Sequence, residues 1–156
     1  MYRLEILLFL HIVGVVIFFG NIITAAFWKV RADINGTPSF IHQTVKNVML
    51  ADIIFTLPGL VLIIVSGILM AIQAGYSLSG FNWLTISLIL FVLTGIIWLA
   101  LLLPLQRKMI HYSFQSIDTG VISKEYKKAS RKWANFGIIA TLLPIVILYF
   151  MISKGI

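Results

Sequence analysis

The sequence predicts an all-α membrane protein in which four transmembrane helices form a bundle of two hairpins. Of its 156 residues, 60% are hydrophobic and only 11% are charged, which leaves too little polar surface for a water-soluble globule. The apolar residues also occur in uninterrupted runs that exceed the length of about 20 residues needed to cross a hydrocarbon core. These two observations predict a single membrane domain over residues 1–156.

The apolar runs define the four spans. The first run, Ile6–Trp28, has 23 residues without a charged side chain. The run Ile53–Gln106 has 54 uncharged residues and would be roughly 80 Å long as one helix, so it must fold back. Turn-forming residues cluster between Gln73 and Asn82, and they divide this run in two. The predicted spans are 5–29, 48–73, 82–106 and 132–153.

A polar segment, Arg107–Lys132, separates the last two spans and is predicted to be a loop. Within it, Ser123 is expected to cap a short helix that leads into Trp133. Three tryptophans lie at the ends of spans, which predicts an interfacial aromatic belt. They are Trp28, Trp83 and Trp133.

The basic residues predict the orientation of the spans. Ten Lys and Arg residues lie between spans one and two or between spans three and four, whereas only Arg3 and Lys154 lie on the other side. Because cytoplasmic loops carry the excess of these residues, both termini are predicted to lie outside. This topology accounts for most of the net charge of +7, and no nucleic-acid partner is expected. The chain has no cysteine, which excludes disulfides and thiolate metal sites.

His11 is the main candidate for a functional residue, because an ionisable side chain inside a membrane span is costly and needs a partner. It falls in the outer third of the membrane, whereas His42 and His111 fall in the cytoplasmic segments, so a pair of histidine ligands within one chain is not expected. Met70 and Met151 lie at a depth similar to that of His11, and a thioether can ligate haem iron or copper. His11 of a second copy in a dimer is another candidate for the second ligand. Alternatively, the methionines only fill gaps in the packing.

Small and polar residues line up on one face of each of the first two spans. Gly14 and Phe18 share a sector with His11 and are predicted to contribute to its cofactor site, although such residues also form ordinary packing surfaces. Asp52 is either a proton or cation site or a paired carboxylate near the interface. The polar residues predict a structural lock between the two spans, formed by Asn21, Asp52 and Thr56.

A basic cluster directly precedes the fourth span. Such juxtamembrane clusters attract the headgroups of anionic lipids, so membrane lipid is a predicted partner. The cluster consists of Lys124, Lys127, Lys128, Arg131 and Lys132.

Several short motifs resemble those of a bacterial family of predicted four-span membrane proteins that is defined as a domain of unknown function. They are Leu10-His11-Ile12-Val13-Gly14, Phe55-Thr56-Leu57-Pro58-Gly59, Pro104-Leu105-Gln106-Arg107 and Arg131-Lys132-Trp133. More distantly, the first span looks like that of HemJ-type protoporphyrinogen oxidases, which bind haem b through a histidine there, and of CopD-type copper proteins. This second resemblance implies that His11 is a haem or metal ligand. The resemblance to the bacterial family implies a multi-pass protein of the bacterial plasma (inner) membrane.

The leading hypothesis is therefore a small membrane protein that binds haem b or a related redox ligand through His11 in its outer half. One alternative is a non-catalytic accessory or assembly subunit of a larger membrane complex or homo-oligomer, in which His11 only joins helices. A further alternative is a proton-coupled transporter that uses Asp52.

Overall fold

A computed structural model describes residues 2–76 and 80–153, with side chains from residue 4 onward. The predictions that involve the side chain of Arg3, the turn residues 77–79 and Lys154 lie outside the described residues. The described residues form six α-helices, and two π-helical turns, Asp52–Thr56 and Trp98–Leu102, join α2 to α3 and α4 to α5. The helices are α1 (Tyr2–Asn35), α2 (Pro38–Ala51), α3 (Leu57–Gln73), α4 (Trp83–Ile97), α5 (Leu103–Thr119) and α6 (Lys124–Ser153).

The helices confirm the predicted fold class. By length and composition, four helical segments of the described chain are long and apolar enough to cross a membrane. They are Leu4–Asn35, Pro38–Gln73, Trp83–Thr119 and Lys124–Ser153.

Two of the helical segments continue well beyond the apolar runs, and here the predicted polar loop is wrong. Most of Arg107–Lys132 is helical, because α5 extends to Thr119 and α6 begins at Lys124. The helical period is present in the polar sequence, since the buried residues of α5 recur every three or four positions. They are Gln106, Met109, Ser113 and Ser116.

The ends of the helices have ordinary local causes. Gly120 ends α5 with a positive φ of 69°, a conformation that glycine adopts without steric cost. Ser123 caps α6, as predicted, by accepting a hydrogen bond from the backbone N–H of Tyr126 at 3.1 Å. The helix that it caps is 30 residues long and not short. Asn82 caps α4 through two backbone N–H groups, each 3.0 Å from its Oδ1.

Each π-helical turn begins six residues before a proline, Pro58 in one case and Pro104 in the other. A proline inside a helix lacks an N–H donor, and its ring meets the carbonyl four residues earlier. These carbonyls belong to Ile54 and Ala100, which lie in the middle of the π-helical turns. A wider turn relieves this conflict at Pro58 and Pro104, whereas Pro144 lies inside α6 without a π-helical turn.

The residue contacts divide the chain into two compact units. The first unit consists of Met1–Ala25 and Leu50–Leu78, and the second of Ala26–Met49 and Ser79–Ile156. In the first unit, the part of α1 up to Ala25 packs against α3. In the second unit, α4 and α5 both pack against α6. No candidate site among the described residues combines residues of both units.

Candidate functional sites

His11 is held in place by α3. Its Nδ1 lies 3.1 Å from the carbonyl oxygen of Ile63 and 3.1 Å from Oγ of Ser66. The Ser66 hydroxyl itself donates to the carbonyl of Leu62, one turn earlier on α3. A side chain on Gly67 would place its Cβ 3.2 Å from Cε1 of His11, so the imidazole lies directly against the backbone of α3. These contacts hold the imidazole of His11 through Nδ1 and place its Cε1 next to Gly67.

The same contacts assign the tautomer of His11. A carbonyl oxygen can only accept, so Nδ1 must carry the proton and donate to Ile63. Because the Ser66 hydroxyl donates elsewhere, its oxygen is free to accept from the same N–H. Nε2 then carries the lone pair, and it has no hydrogen-bond partner among the residues that the structure describes. A neutral imidazole with one nitrogen anchored and the other available is the form in which histidine binds metals.

Gly14 and Phe18, which were predicted to contribute to the site of His11, lie in the packed contact between α1 and α3. A Cβ on Gly14 would lie 2.9 Å from Cβ of Leu62 and 3.0 Å from the carbonyl oxygen of Gly59. Phe18 is buried, and a Cβ on Gly59 would lie 3.3 Å from its Cβ. Gly14 and Phe18 therefore take part in helix packing, whereas the residues in contact with the imidazole of His11 are Ile63, Ser66 and Gly67.

The two methionines that were predicted as second ligands belong to different units. Met70 lies on α3, four residues or one helical turn beyond Ser66, in the same unit as His11. Met151 lies on α6 in the second unit. Met70 therefore shares a unit with His11, and its role as a second ligand stays a prediction.

The three residues of the predicted polar lock are joined by hydrogen bonds. Nδ2 of Asn21 donates to Oδ1 of Asp52 at 3.0 Å and to Oγ1 of Thr56 at 2.8 Å. The Thr56 hydroxyl donates in turn to the same carboxylate oxygen at 3.1 Å. Asp52 and Thr56 are both buried. Oδ1 of Asp52 therefore receives two donors, an arrangement that suits a structural acceptor better than an open cation site.

Replacing Asn21 with leucine is expected to lower the free energy of unfolding by about 1–2 kcal/mol, because it leaves the buried Asp52 and Thr56 without the amide donor. Thr24→Ala is the matched control, since the Thr24 hydroxyl is exposed and bonds only to its own helix. The control should change stability by less than about 0.5 kcal/mol. SDS titration of the protein in detergent micelles measures both values, and equal losses in the two variants would contradict the lock.

The second unit contains a polar cluster that the sequence analysis missed. Lys29 is 1% exposed, and its Nζ lies 2.5 Å from Oδ2 of Asp33, one turn later on α1. Oδ1 of Asp33 accepts a hydrogen bond from the Tyr126 hydroxyl at 2.6 Å, and Oδ2 accepts one from Ser130 at 2.7 Å. The Lys29 ammonium also bonds to Ser130. The Lys29 cluster, as we call Lys29, Asp33, Tyr126, Ser130 and Trp133, ties the end of α1 to the start of α6.

Two aromatic rings complete the Lys29 cluster. Nζ of Lys29 lies 5.2 Å from the ring centroid of Trp133 and 5.9 Å from that of Tyr126, so both rings add cation–π attraction. Trp133 is 8% exposed, whereas Trp28 is 62% exposed. Trp133 therefore packs inside the second unit, and the predicted role in an interfacial belt does not describe it. The four-residue spacings of Lys29 to Asp33 and of Tyr126 to Ser130 were the signal in the sequence.

The predicted basic cluster is exposed, and the other two histidines lie outside the unit of His11. All five members of the basic cluster, Lys124, Lys127, Lys128, Arg131 and Lys132, lie on the surface of α6. Of the other two histidines, His42 lies 3.0 Å from Oγ of Ser113 through its Nδ1, and His111 is exposed. No group of three or more His, Asp or Glu side chains in the described part of the chain is placed to hold a metal ion.

The four apolar helical segments and the polar groups buried between them define a multi-pass integral membrane protein. A family model described as predicted integral membrane protein (DUF2269) matches residues 5–155, so the chain belongs to that family. This confirms the family resemblance seen in the sequence. No curated protein and no solved structure matches the chain.

Proposed function

We propose that the protein binds haem b, or a related redox ligand, through Nε2 of His11. The observation that carries the proposal is the hydrogen bond from Nδ1 of His11 to the Ile63 carbonyl. Histidines that bind metals usually donate their other N–H to a backbone carbonyl or carboxylate, which fixes the tautomer and the direction of the ring. In a bacterial plasma membrane, with the orientation that the distribution of Lys and Arg favours, this site would lie in the outer half of the protein.

The residues around His11 fit haem better than a bare metal ion. A bare ion such as zinc takes three or four protein ligands, and the described residues offer no group of this kind. Haem iron needs only one axial ligand from the protein, and Met70 is the candidate for the second. Ser66 and Gly67 would hold the imidazole, the first by accepting from Nδ1 and the second by leaving room for the ring. Bound haem would supply one-electron transfer.

The test is the absorption spectrum of the purified protein after reconstitution with haem b. The wild type is expected to show a Soret band, and His11→Ala is expected to lose it because the axial ligand is gone. His42→Ala and His111→Ala are the matched controls and should keep the band, because neither residue lies in the unit of His11. Free imidazole should restore part of the band in His11→Ala, which separates a lost ligand from a lost fold.

A wild-type protein that shows no Soret band after reconstitution would overturn the proposal, and so would a band that survives in His11→Ala. The second candidate function would then be favoured, namely a non-catalytic accessory or assembly subunit. The observation that supports it is that both contacts of Nδ1 are made to α3, so His11 also joins two helices. In that case the spectrum of His11→Ala should equal that of the wild type, while co-purification with a larger membrane complex persists.

A further inference from the structure

The start of α6 is amphipathic in the part that precedes its apolar segment. We call its five exposed cations the basic face, and at about 100° per residue they fall within an arc of about 140°. The members are Lys124, Lys127, Lys128, Arg131 and Lys132. The opposite side of the helix is buried through Tyr126, Ala129 and Trp133. The two kinds of residue are thus separated cleanly along three turns of one helix.

The Lys29 cluster fixes the rotation of α6 that exposes the basic face. Tyr126 and Ser130 are both hydrogen-bonded to Asp33, and Trp133 lies under the Lys29 ammonium. The charge of Lys29 is paired with Asp33 inside the second unit and does not add to the surface. Glu125 is the single acidic residue in the segment 124–132, so the segment keeps a strong positive charge.

The basic face conflicts with the stability of its own helix. The N-terminal end of a helix carries a partial positive charge, and cations in its first turn are unfavourable there. Lys124 and Lys127 occupy this first turn. A local preference that is broken at an exposed, ordered position indicates a role other than folding.

We propose that the basic face binds the phosphate groups of anionic lipid headgroups in the membrane that the protein spans. The continuity of α6 favours a membrane over a soluble acidic partner. The helix runs without interruption from Arg131 and Lys132 through Trp133 into the apolar segment that ends at Ser153. The basic face therefore lies in the three helical turns that lead into this apolar segment, where anionic headgroups attract Lys and Arg side chains.

The test measures the affinity of purified variants in detergent for phosphatidylglycerol by native mass spectrometry. Phosphatidylcholine, which is zwitterionic and has no net charge, is the reference. Each removed charge is expected to weaken binding about fivefold, so Lys127→Gln/Lys128→Gln should bind phosphatidylglycerol about 25-fold more weakly. Lys127→Arg/Lys128→Arg keeps the charge and should bind as the wild type does. Binding of phosphatidylcholine should not change in any variant.

Lys46→Gln is the control for a diffuse effect of net charge, because Lys46 is also exposed but lies on α2. It should change the affinity less than twofold. A loss of about fivefold in Lys46→Gln, which is the loss expected for one charge of the basic face, would overturn the proposal. An unchanged affinity in Lys127→Gln/Lys128→Gln would overturn it as well. Displacement of phosphatidylglycerol by a soluble acidic peptide at equal charge concentration would also overturn it, in favour of a protein partner. Circular dichroism of each variant measures its helix content, which should equal that of the wild type.

Discussion

Asp33→Leu is expected to lower the free energy of unfolding by about 3–5 kcal/mol, because it leaves the ammonium of Lys29 buried without its counter-ion. The side chain of Lys29 is only 2% exposed, so water cannot replace the lost carboxylate. The remaining partners are the Ser130 hydroxyl and the faces of Tyr126 and Trp133, which offset only part of the cost. The midpoint of SDS-induced unfolding in mixed micelles measures the change.

The two members of the ion pair should behave differently. Lys29→Met removes the cation but leaves Asp33 with a side chain that is 23% exposed and two hydroxyl donors, from Tyr126 and Ser130. This variant should therefore lose less stability than Asp33→Leu, and the double variant Lys29→Met/Asp33→Leu should also lose less, because no charge stays unpaired. Lys46→Met, at an exposed lysine, is the control and should change stability by less than about 0.5 kcal/mol. If Lys29→Met proves more damaging than Asp33→Leu, the carboxylate is not the partner that stabilises the buried ammonium.

The four spans could be predicted from the sequence because the lipid core imposes one strong requirement, a long apolar run, on every crossing segment. The runs Ile6–Trp28 and Ile53–Gln106 meet it without any knowledge of tertiary contacts. The polar ends of the helices lie outside the lipid core, so this requirement does not apply to them. In Arg107–Thr119 the charged residues indicated a loop, and the helical spacing of the buried residues between them was the weaker signal.

The candidate sites could be predicted only where their residues form a pattern along the sequence. Asp52 and Thr56 share a face of one span and Asn21 lies at a similar depth on another, and both features can be counted from the sequence. The partner of His11 is a backbone carbonyl, that of Ile63, and every helical residue carries one, so no pattern of side chains points to it. Lys29 was counted among the topological charges, and Tyr126 is 97 positions away from it. Only the packing of α6 against the end of α1 turns that charge into a buried ion pair.

Gly14→Ala is expected to destabilise the first unit by about 1–3 kcal/mol, although alanine is the better helix former by about 1 kcal/mol. The added methyl group would lie 2.9 Å from Cβ of Leu62 and 3.0 Å from the Gly59 carbonyl oxygen, and neither atom belongs to a flexible side-chain end that can move aside. The two helices must therefore move apart, and they lose the close packing that a glycine at position 14 permits.

Gly20→Ala provides the matched control on the same helix, because a Cβ at Gly20 would meet no atom within 4 Å. With no steric conflict, only the helix propensity acts, and this variant should be as stable as the wild type or up to about 1 kcal/mol more stable. The pair of variants thus has opposite expected signs in one unfolding assay. A shift of α1 away from α3 would also lengthen the 3.1 Å contact between His11 and the Ile63 carbonyl, so Gly14→Ala should loosen the imidazole as well. Equal stability of Gly14→Ala and Gly20→Ala would show that the close contact of Gly14 with α3 does not stabilise the helix pair.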